Sequence, residues 1–137
     1  MKTVIIDNGV GDCDFLKLDL SRFSKLSSLV IGNHCFSYVE EVIIAGLNEL
    51  KKVEIGENSF TKHKKSSGND PNRHFYLNYC PKLKSLKIGS YSFSDYSVCE
   101  IENVDALEVI EMSGYYRRSD NFFNASLELK SVLIHRE

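Results

Sequence analysis

Apolar residues recur along the chain in one spacing, in which two variable positions separate the first apolar residue from the second and one variable position separates the second from the third. Five units with this spacing start at Leu26, Leu50, Leu83, Leu107 and Leu129, which lie 24, 33, 24 and 22 residues apart. Val4 and Ile6 suggest an incomplete earlier unit. Self-similarity at such a period is typical of stacked repeat architectures.

Three of the units continue in the same way after their third apolar residue. A glycine follows at once, and a small residue and a phenylalanine come three and four positions later, in the segments Ile31–Phe36, Ile55–Phe60 and Ile88–Phe93. The spacing of two between the second and third apolar positions predicts a short strand with one face turned inward. The glycine is expected to give the chain an unusual backbone conformation at the strand's end. The phenylalanine then returns a large side chain to the core.

A second apolar element precedes most of these strands. It consists of Leu16, Leu18 and Leu20 in the first unit, and of Val42 with Ile44, Phe75–Leu77, Cys99 with Ile101, and Phe122–Phe123 in the following ones. Alternation over so few residues favours an extended segment over a helix. Each unit is therefore predicted to have two short extended legs, and the units must stack to bury their apolar faces.

The pattern Leu-x-x-Leu-x-Ile-x-x-x-x-Phe resembles the leucine-rich repeat, and its Ile-Gly-x-x-Ser-Phe continuation resembles the bacterial-surface-antigen-like subclass of that family. The resemblance covers roughly residues 23–137. It implies one domain over residues 1–137 with an α/β-type, mostly β repeat solenoid. This would be a right-handed coil of five to six turns with a parallel sheet on the concave face and little helix. One departure is that the family's asparagine occurs only as Asn58, where His34, Tyr91 and Tyr115 stand in other units. The turns must therefore satisfy their backbone groups by other means.

Composition limits the classes of function. The chain has 137 residues, 42% of them hydrophobic, which suits one domain with a packed core. Its 17 basic and 19 acidic residues give a net charge of −2, which argues against a dedicated binder of nucleic acid or of anionic membranes. No apolar run reaches the roughly 18 residues of a membrane span. Since the start of the chain also lacks the apolar stretch of a secretory signal, we expect a cytoplasmic protein.

The variable position between the second and third apolar residues predicts a column of side chains on the sheet's outer face. This column contains Val30, Glu54, Lys87, Glu111 and Leu133. Since neighbouring strands lie about 4.8 Å apart, Glu54, Lys87 and Glu111 would alternate in sign on adjacent strands. One interpretation is a ladder of ion pairs with little energetic weight. The other is a charge-patterned site for a partner. The position after the first leucine adds a mildly basic flank, with Ser27, Lys51, Lys84, Glu108 and Lys130.

Two further segments are candidates for partner contacts. The long unit carries an insertion at residues 61–74 that is predicted to be a loop, with the basic residues Lys62, Lys64, Lys65 and Arg73. The second segment is a turn with Tyr115, Tyr116, Arg117 and Arg118, residue types that are frequent at interface hot spots. If both lie on one edge they would form a basic, tyrosine-bearing patch. The alternatives are an insertion without a ligand and arginines that are merely solvated.

Evidence for other chemistry is thin. Cys13, Cys35, Cys80 and Cys99 lack the spacing of a zinc or dithiol site and are expected to be reduced core thiols. His63 and His74 would need placed carboxylates to hold a metal. We therefore expect no cofactor, no metal and no catalysis.

The last predicted strand, from Leu129 through Val132 to Ile134, is not followed by a polar cap. This predicts a homodimer through the final unit, a partner docked there, or a truncated array. The sequence as a whole favours a protein–protein interaction module or scaffold. The alternative is an exported, adhesin-like or host-contact surface module, for which the sequon Asn124–Ser126 or intact disulfides would be evidence.

Overall fold

The computed structural model describes residues 2–11, 16–61, 70–89, 91–93, 96–112, 126–129 and 134–135. Regular secondary structure in these residues is entirely β. The strands are β1 (Lys2–Ile6), β2 (Lys17–Asp19), β3 (Leu26–Ile31), β4 (Glu41–Ala45), β5 (Lys52–Ile55), β6 (Asp70–Asn78), β7 (Ser85–Ile88), β8 (Tyr96–Glu102), β9 (Val109–Met112), β10 (Ser126–Leu129) and β11 (Ile134–His135).

Successive strands alternate between two sheets. The odd-numbered strands form a six-stranded sheet in the order β1-β3-β5-β7-β9-β11, and the even-numbered strands form a five-stranded sheet in the order β10-β8-β6-β4-β2. Every pairing is parallel. The prediction of a mostly β protein with parallel strands is confirmed, and the predicted second extended legs are strands of a regular five-stranded sheet.

The apolar repeat positions form aligned columns in the six-stranded sheet. In the column of the second apolar position, Val4 pairs with Leu29, and Leu29 is followed by Val53, Leu86 and Ile110. From Leu29 onward these side chains are completely buried. Complete burial of an aliphatic side chain stabilises the fold by roughly 1.5–3 kcal/mol, so this column is a principal source of stability.

The five-stranded sheet contributes the opposite wall of the same core. The register aligns Val42 with Phe75 and Phe75 with Cys99, and it aligns Leu77 with both Ile44 and Ile101. All of these side chains are buried and belong to one cluster with those of the other sheet. The predicted equivalence of the apolar pairs in these units is confirmed.

The phenylalanine that follows each strand at the same spacing in three units forms a stack of rings beside the strands. The ring centroids of Phe36 and Phe60 lie 5.3 Å apart, and those of Phe60 and Phe93 lie 4.6 Å apart with nearly parallel planes. All three residues have positive φ angles, between 54° and 62°. Two positions earlier, His34, Asn58 and Tyr91 have positive φ angles as well. Each turn thus enters the left-handed region twice, which asparagine and histidine tolerate better than most residues.

The glycine at the end of each strand serves close packing. Gly32, Gly56 and Gly89 are not among the residues with positive φ, so the expectation of an unusual backbone conformation at these glycines is wrong. A Cβ on Gly56 would lie 2.8 Å from the carbonyl carbon of Gly32, and one on Gly89 would lie 2.7 Å from that of Gly56. Adjacent backbones therefore approach too closely for a side chain.

Serine hydroxyls form a ladder of hydrogen bonds between neighbouring units. The Ser59 hydroxyl accepts a hydrogen bond from the Cys35 amide at 3.1 Å and donates one to the Gly32 carbonyl at 2.8 Å. Ser92 repeats the arrangement one unit later, accepting from the Ser59 amide and donating to the Gly56 carbonyl. These hydroxyls satisfy buried backbone groups that the turns leave open.

Two predicted boundaries are wrong. Strand β6 begins at Asp70, so residues 70–74 of the predicted insertion loop belong to a strand, in which Asp70 pairs with Tyr96 and His74 pairs with Val98 of β8. At the end of the chain, Leu129 belongs to β10 in the five-stranded sheet, whereas Ile134 belongs to β11 in the six-stranded sheet. The two residues do not share one final strand. Ile134 pairs with Ile110, and β10 occupies the place that was assigned to Phe122–Phe123.

Candidate functional site: a charged groove on the six-stranded sheet

Three charged side chains lie side by side on the outer face of the six-stranded sheet. The register pairs Glu54 of β5 with Lys87 of β7, and Lys87 with Glu111 of β9. In β5 and β7 the residues on either side of Glu54 and Lys87 are buried. Because strand side chains alternate between faces, the charged residues point away from the core. We call Glu54, Lys87 and Glu111 the charged column.

Leu133, the predicted last member of this column, lies outside the described residues. His135 is the residue that pairs with Glu111 in β11. At the other end of the column, Glu54 pairs with Val30, and Val30 pairs with Ile5. Ile5 is 69% exposed, so the surface changes from charged to apolar towards β1.

The charged column lines a groove with a volume of about 380 Å³. Its walls also include the ends of the strands and the turns that follow them, at Val30, Ile31, Gly32, Asn33, Ile55, Gly56, Ile88 and Gly89. The closely packed glycines contribute no side chains, so backbone forms part of the wall. A groove with a charged column and accessible backbone suits the side chains of an extended partner segment.

The rim of the groove is fixed by a second ladder of hydrogen bonds. The Asn33 side-chain carbonyl accepts a hydrogen bond from the Glu57 amide at 2.8 Å, and the Asn8 side-chain carbonyl accepts one from the Asn33 amide at 2.7 Å. These bonds join three successive units at the same turn. The groove is therefore held by side chain–backbone hydrogen bonds at its rim as well as by the pairing of its strands.

The charged column is not a ladder of ion pairs. Glu54 forms its ion pair with Lys52 on its own strand, at 3.6 Å between Nζ and Oε1. Among the described residues, no ion pair within 4.0 Å joins Lys87 to either neighbouring carboxylate. The Lys87 side chain is exposed, so its ammonium group is available to a partner. Two carboxylates on flanking strands set the electrostatic environment of that ammonium.

The other predicted contact residues divide into two groups. Lys62, Lys64, Lys65, Tyr115, Tyr116, Arg117 and Arg118 lie outside the described residues, as do His63, Cys13, Val132 and Asn124. Arg73 is described and completely buried. It lies in β6, donates a hydrogen bond to the Ser37 carbonyl, and places its guanidinium 5.3 Å from the centre of the Tyr96 ring. Its assignment to an exposed basic loop is therefore wrong.

The sequence contains a pattern that could have predicted the burial of Arg73. Arg73, Phe75 and Leu77 alternate, and alternate residues of a strand share one face. Extending the strand by two residues towards its start would have placed Arg73 inward. The prediction failed because the flanking Pro71 and Asn72 are typical of loops. The Tyr96 ring and the Ser37 carbonyl, which surround the guanidinium, carry no comparable signal.

The described cysteines are buried and free, at Cys35, Cys80 and Cys99. Burial is the main cause that raises the pKa of the Cys99 thiol far above its usual value, and burial also raises the pKa of Cys80. A raised pKa keeps a thiol protonated and weakly nucleophilic at neutral pH. The described cysteines therefore fit packing positions in the core.

His74 has a partner on the outer face of the five-stranded sheet. Its Nδ1 lies 2.8 Å from the Tyr76 hydroxyl, and burial, with smaller contributions from Glu100 and Glu41, raises the pKa of Tyr76. Within the described ranges, no three histidine, cysteine or carboxylate side chains are grouped as a metal site requires. In the same part of the chain, no helix has the length and apolarity needed to cross a membrane.

Comparison of the chain with protein-family models, curated proteins and solved structures found no match. The leucine-rich-repeat resemblance therefore remains an expectation from the sequence pattern.

Proposed function

We propose that the protein is an interaction module that recognises another protein through the groove of the charged column. The observation that carries this proposal is the placement of Glu54, Lys87 and Glu111 on adjacent strands of one groove, with Lys87 in no ion pair there. A charged side chain that contributes little to the fold is available to bind.

The groove suits a partner that presents a negative charge between two positive ones. Neighbouring strands lie about 4.8 Å apart, so complementary charges on the partner would need a comparable spacing. Complementary charges of this kind mainly increase the association rate and exclude wrong partners. The apolar end at Val30 and Ile5 would supply contact area that is not charged. Affinity would therefore depend on the groove's charge pattern and on this apolar end together.

A binding role is favoured over catalysis by the residues that form the groove. Its described lining consists of aliphatic residues, glycines, one asparagine, two glutamates and one lysine. Nucleophilic catalysis in proteins uses an activated serine, cysteine, threonine or lysine beside a base. No serine, cysteine or threonine is among the described residues of the groove, and the side chains beside Lys87 on the flanking strands are the two glutamates of the charged column.

We also propose that each unit forms one turn of a leucine-rich-repeat-like coil. The alternation of successive strands between the two sheets supports this, because one strand of each sheet would then belong to each turn. The stacked phenylalanines and the serine ladder support it further, since they repeat once per unit. In such a coil the outer face of one sheet is a natural surface for partner recognition.

The test is partner capture from a lysate of the source cells, with the wild-type chain and a Lys87→Glu variant as paired baits and quantitative mass spectrometry as the readout. A Lys17→Glu variant is the control, because Lys17 lies on the other sheet in an exposed ion pair with Glu41 and the substitution changes the net charge equally. We expect a protein that is enriched on wild type and on Lys17→Glu but is lost on Lys87→Glu.

Equal loss of that protein on both variants would contradict the proposal, because binding would then depend on net charge. Equal retention on both would also contradict it, because the groove would then not take part. Circular dichroism and thermal unfolding of each bait are needed to show that the variants remain folded.

A further inference from the structure

A second surface lies at the end of the six-stranded sheet where its strands begin. Five exposed basic residues, Lys2, Arg22, Lys25, Lys51 and Lys84, lie at the starts of β1, β3, β5 and β7 or in the turns before them. We call these five residues the basic edge. It shares no residue with the groove of the charged column.

Part of the basic edge surrounds a pocket. A depression of about 170 Å³ is lined by Lys2, Arg22 and Lys25 together with Val4, Phe23, Ser24 and Leu26. Leu26 is buried, and Phe23 is 49% exposed. The pocket therefore combines an apolar wall, large enough for roughly one side chain, with three positive charges at its mouth.

A neighbouring depression continues the surface towards β5. Lys25 also lines this second depression, with Ser27, Glu49 and Lys51, and its volume is about 250 Å³. The backbone links its floor to the next strand, because the Lys51 amide donates a hydrogen bond to the Ser27 carbonyl at 2.8 Å. A ligand in the first pocket could thus extend along the strand ends to Lys51.

The basic edge places like charges together. The Lys84 amide donates a hydrogen bond to the Lys51 carbonyl at 2.9 Å, so these two lysines are direct neighbours immediately before β7 and β5. Like charges in such positions are destabilising. Glu49 forms its ion pair with Lys82 at 3.3 Å. The row of like charges ends at Glu108, whose amide donates a hydrogen bond to the Lys84 carbonyl at 3.0 Å. Among the described residues, none of the five basic-edge residues is in an ion pair within 4.0 Å.

We propose that the basic edge binds an acidic segment of a protein, one that carries an apolar side chain into the pocket beside Phe23. The partner's carboxylates would lie against Arg22, Lys25 and Lys51, where they would relieve the repulsion between like charges. This surface goes beyond the groove of the proposed function and does not depend on it.

The observations favour an acidic protein segment over a nucleic acid. Glu49 lines the second depression, where it would repel a continuous phosphate backbone, whereas a peptide can place an uncharged residue there. The chain's net charge is −2, while nucleic-acid binders gain most of their affinity from an excess of positive charge. The apolar wall of the pocket suits a leucine or phenylalanine side chain.

The test uses a fluorescein-labelled peptide of glutamates around one phenylalanine, with fluorescence anisotropy of the full chain as the readout. We expect saturable binding that weakens as salt is added. Replacing the glutamates by glutamines should abolish it. Lys25→Glu should weaken it by at least about tenfold, since reversal replaces an attraction between neighbouring charges by a repulsion.

Lys87→Glu is the matched control, because it changes the net charge equally but lies in the groove. We expect it to leave peptide affinity within about twofold of wild type, since charges separated by more than a Debye length of about 10 Å are screened at 0.1 M salt. Phe23→Ser should weaken binding of the phenylalanine-containing peptide and leave binding of an all-glutamate peptide unchanged. Lys51→Glu provides a second charge variant should Lys25→Glu not fold.

Absence of binding to the glutamate peptide would overturn the proposal, as would equal loss in Lys25→Glu and Lys87→Glu. Tighter binding of a single-stranded oligonucleotide than of the peptide would overturn the assignment to an acidic protein segment. Because the groove variant is the control here and the test variant in partner capture, the failure of one proposal is distinguishable from the failure of the other.

Discussion

The inner and outer faces of β5 and β7 differ in how similar the aligned residues of the two strands are. On the inner face, Val53 and Ile55 align with Leu86 and Ile88, and all four are buried aliphatic residues. On the outer face, Glu54 aligns with Lys87, so the charge reverses from one strand to the next. The inner positions are uniform because all of them fill the packed core between the two sheets. The outer positions are free of that requirement and can carry recognition.

The largest effect on stability should come from the inner side, at Phe60. Phe60→Ala removes a completely buried ring that stacks on Phe36 and Phe93, and it should lower the free energy of unfolding by about 3–5 kcal/mol. Chemical denaturation measures this value. Phe23→Ala is the control, because Phe23 is half exposed and its loss should have a much smaller effect. Equal effects would mean that the ring stack is not a core element.

The next effect should come from the hydrogen-bond ladder. Ser59→Ala leaves the buried Cys35 amide without its acceptor and should destabilise the fold by about 1–3 kcal/mol. Ser59→Cys can restore part of the ladder, since Cys35 occupies the equivalent position in its own unit and donates to the Asp7 carbonyl. A thermal-unfolding midpoint for Ser59→Ala equal to that of wild type would show that the serine does not support the turn.

Substitutions at two glycines should distinguish the cost of a close backbone contact from the cost of an unfavourable backbone conformation. Gly56→Ala places a Cβ 2.8 Å from backbone of the neighbouring unit and should cost roughly 1–3 kcal/mol, as overpacking does. Gly46 has a φ of +68° and nothing within 4 Å of a Cβ, so Gly46→Ala should cost only about 1 kcal/mol, from backbone conformation. A larger loss of denaturation free energy in Gly46→Ala would reverse this account of the two sites.

The smallest effect on stability should come from the charged column. Lys87→Glu changes an exposed side chain that is in no described ion pair within 4.0 Å, and it should alter the free energy of unfolding by no more than about 0.5 kcal/mol. The same variant should lose the partner. A large loss of stability in denaturant titrations would show that the column supports the fold.

The sequence predicts the inner faces of both sheets well because burial imposes a period of two on each strand. The registers of Val42 with Phe75 and of Leu77 with Ile101 follow directly from that alternation. The charged column is equally predictable, since its position is fixed by its buried neighbours. What the sequence cannot show is whether neighbouring charges form ion pairs, because Glu54 had partners available both within its strand and across it.

Three other features were missed because they depend on which strands and units become neighbours in the fold. The last unit was misplaced because Leu129 and Ile134 fit one apolar spacing although they belong to different sheets. The glycines at the strand ends were expected to adopt an unusual backbone conformation. Their actual role, close packing against the backbone of the neighbouring unit, cannot be read from the sequence of a single unit. The basic edge was visible only as a mild flank, since Lys2, Arg22 and Lys25 lie outside the repeat positions that form its column.

The central claim is that the charged column serves recognition and not stability. A double-mutant cycle between Glu54→Gln and Lys87→Met tests it most directly, with the free energy of unfolding of the four proteins measured by denaturant titration. The account predicts a coupling energy below about 0.3 kcal/mol, since the two groups form no ion pair. A coupling of about 1 kcal/mol, the upper range for an exposed pair, would show a cross-strand ion ladder and contradict the account.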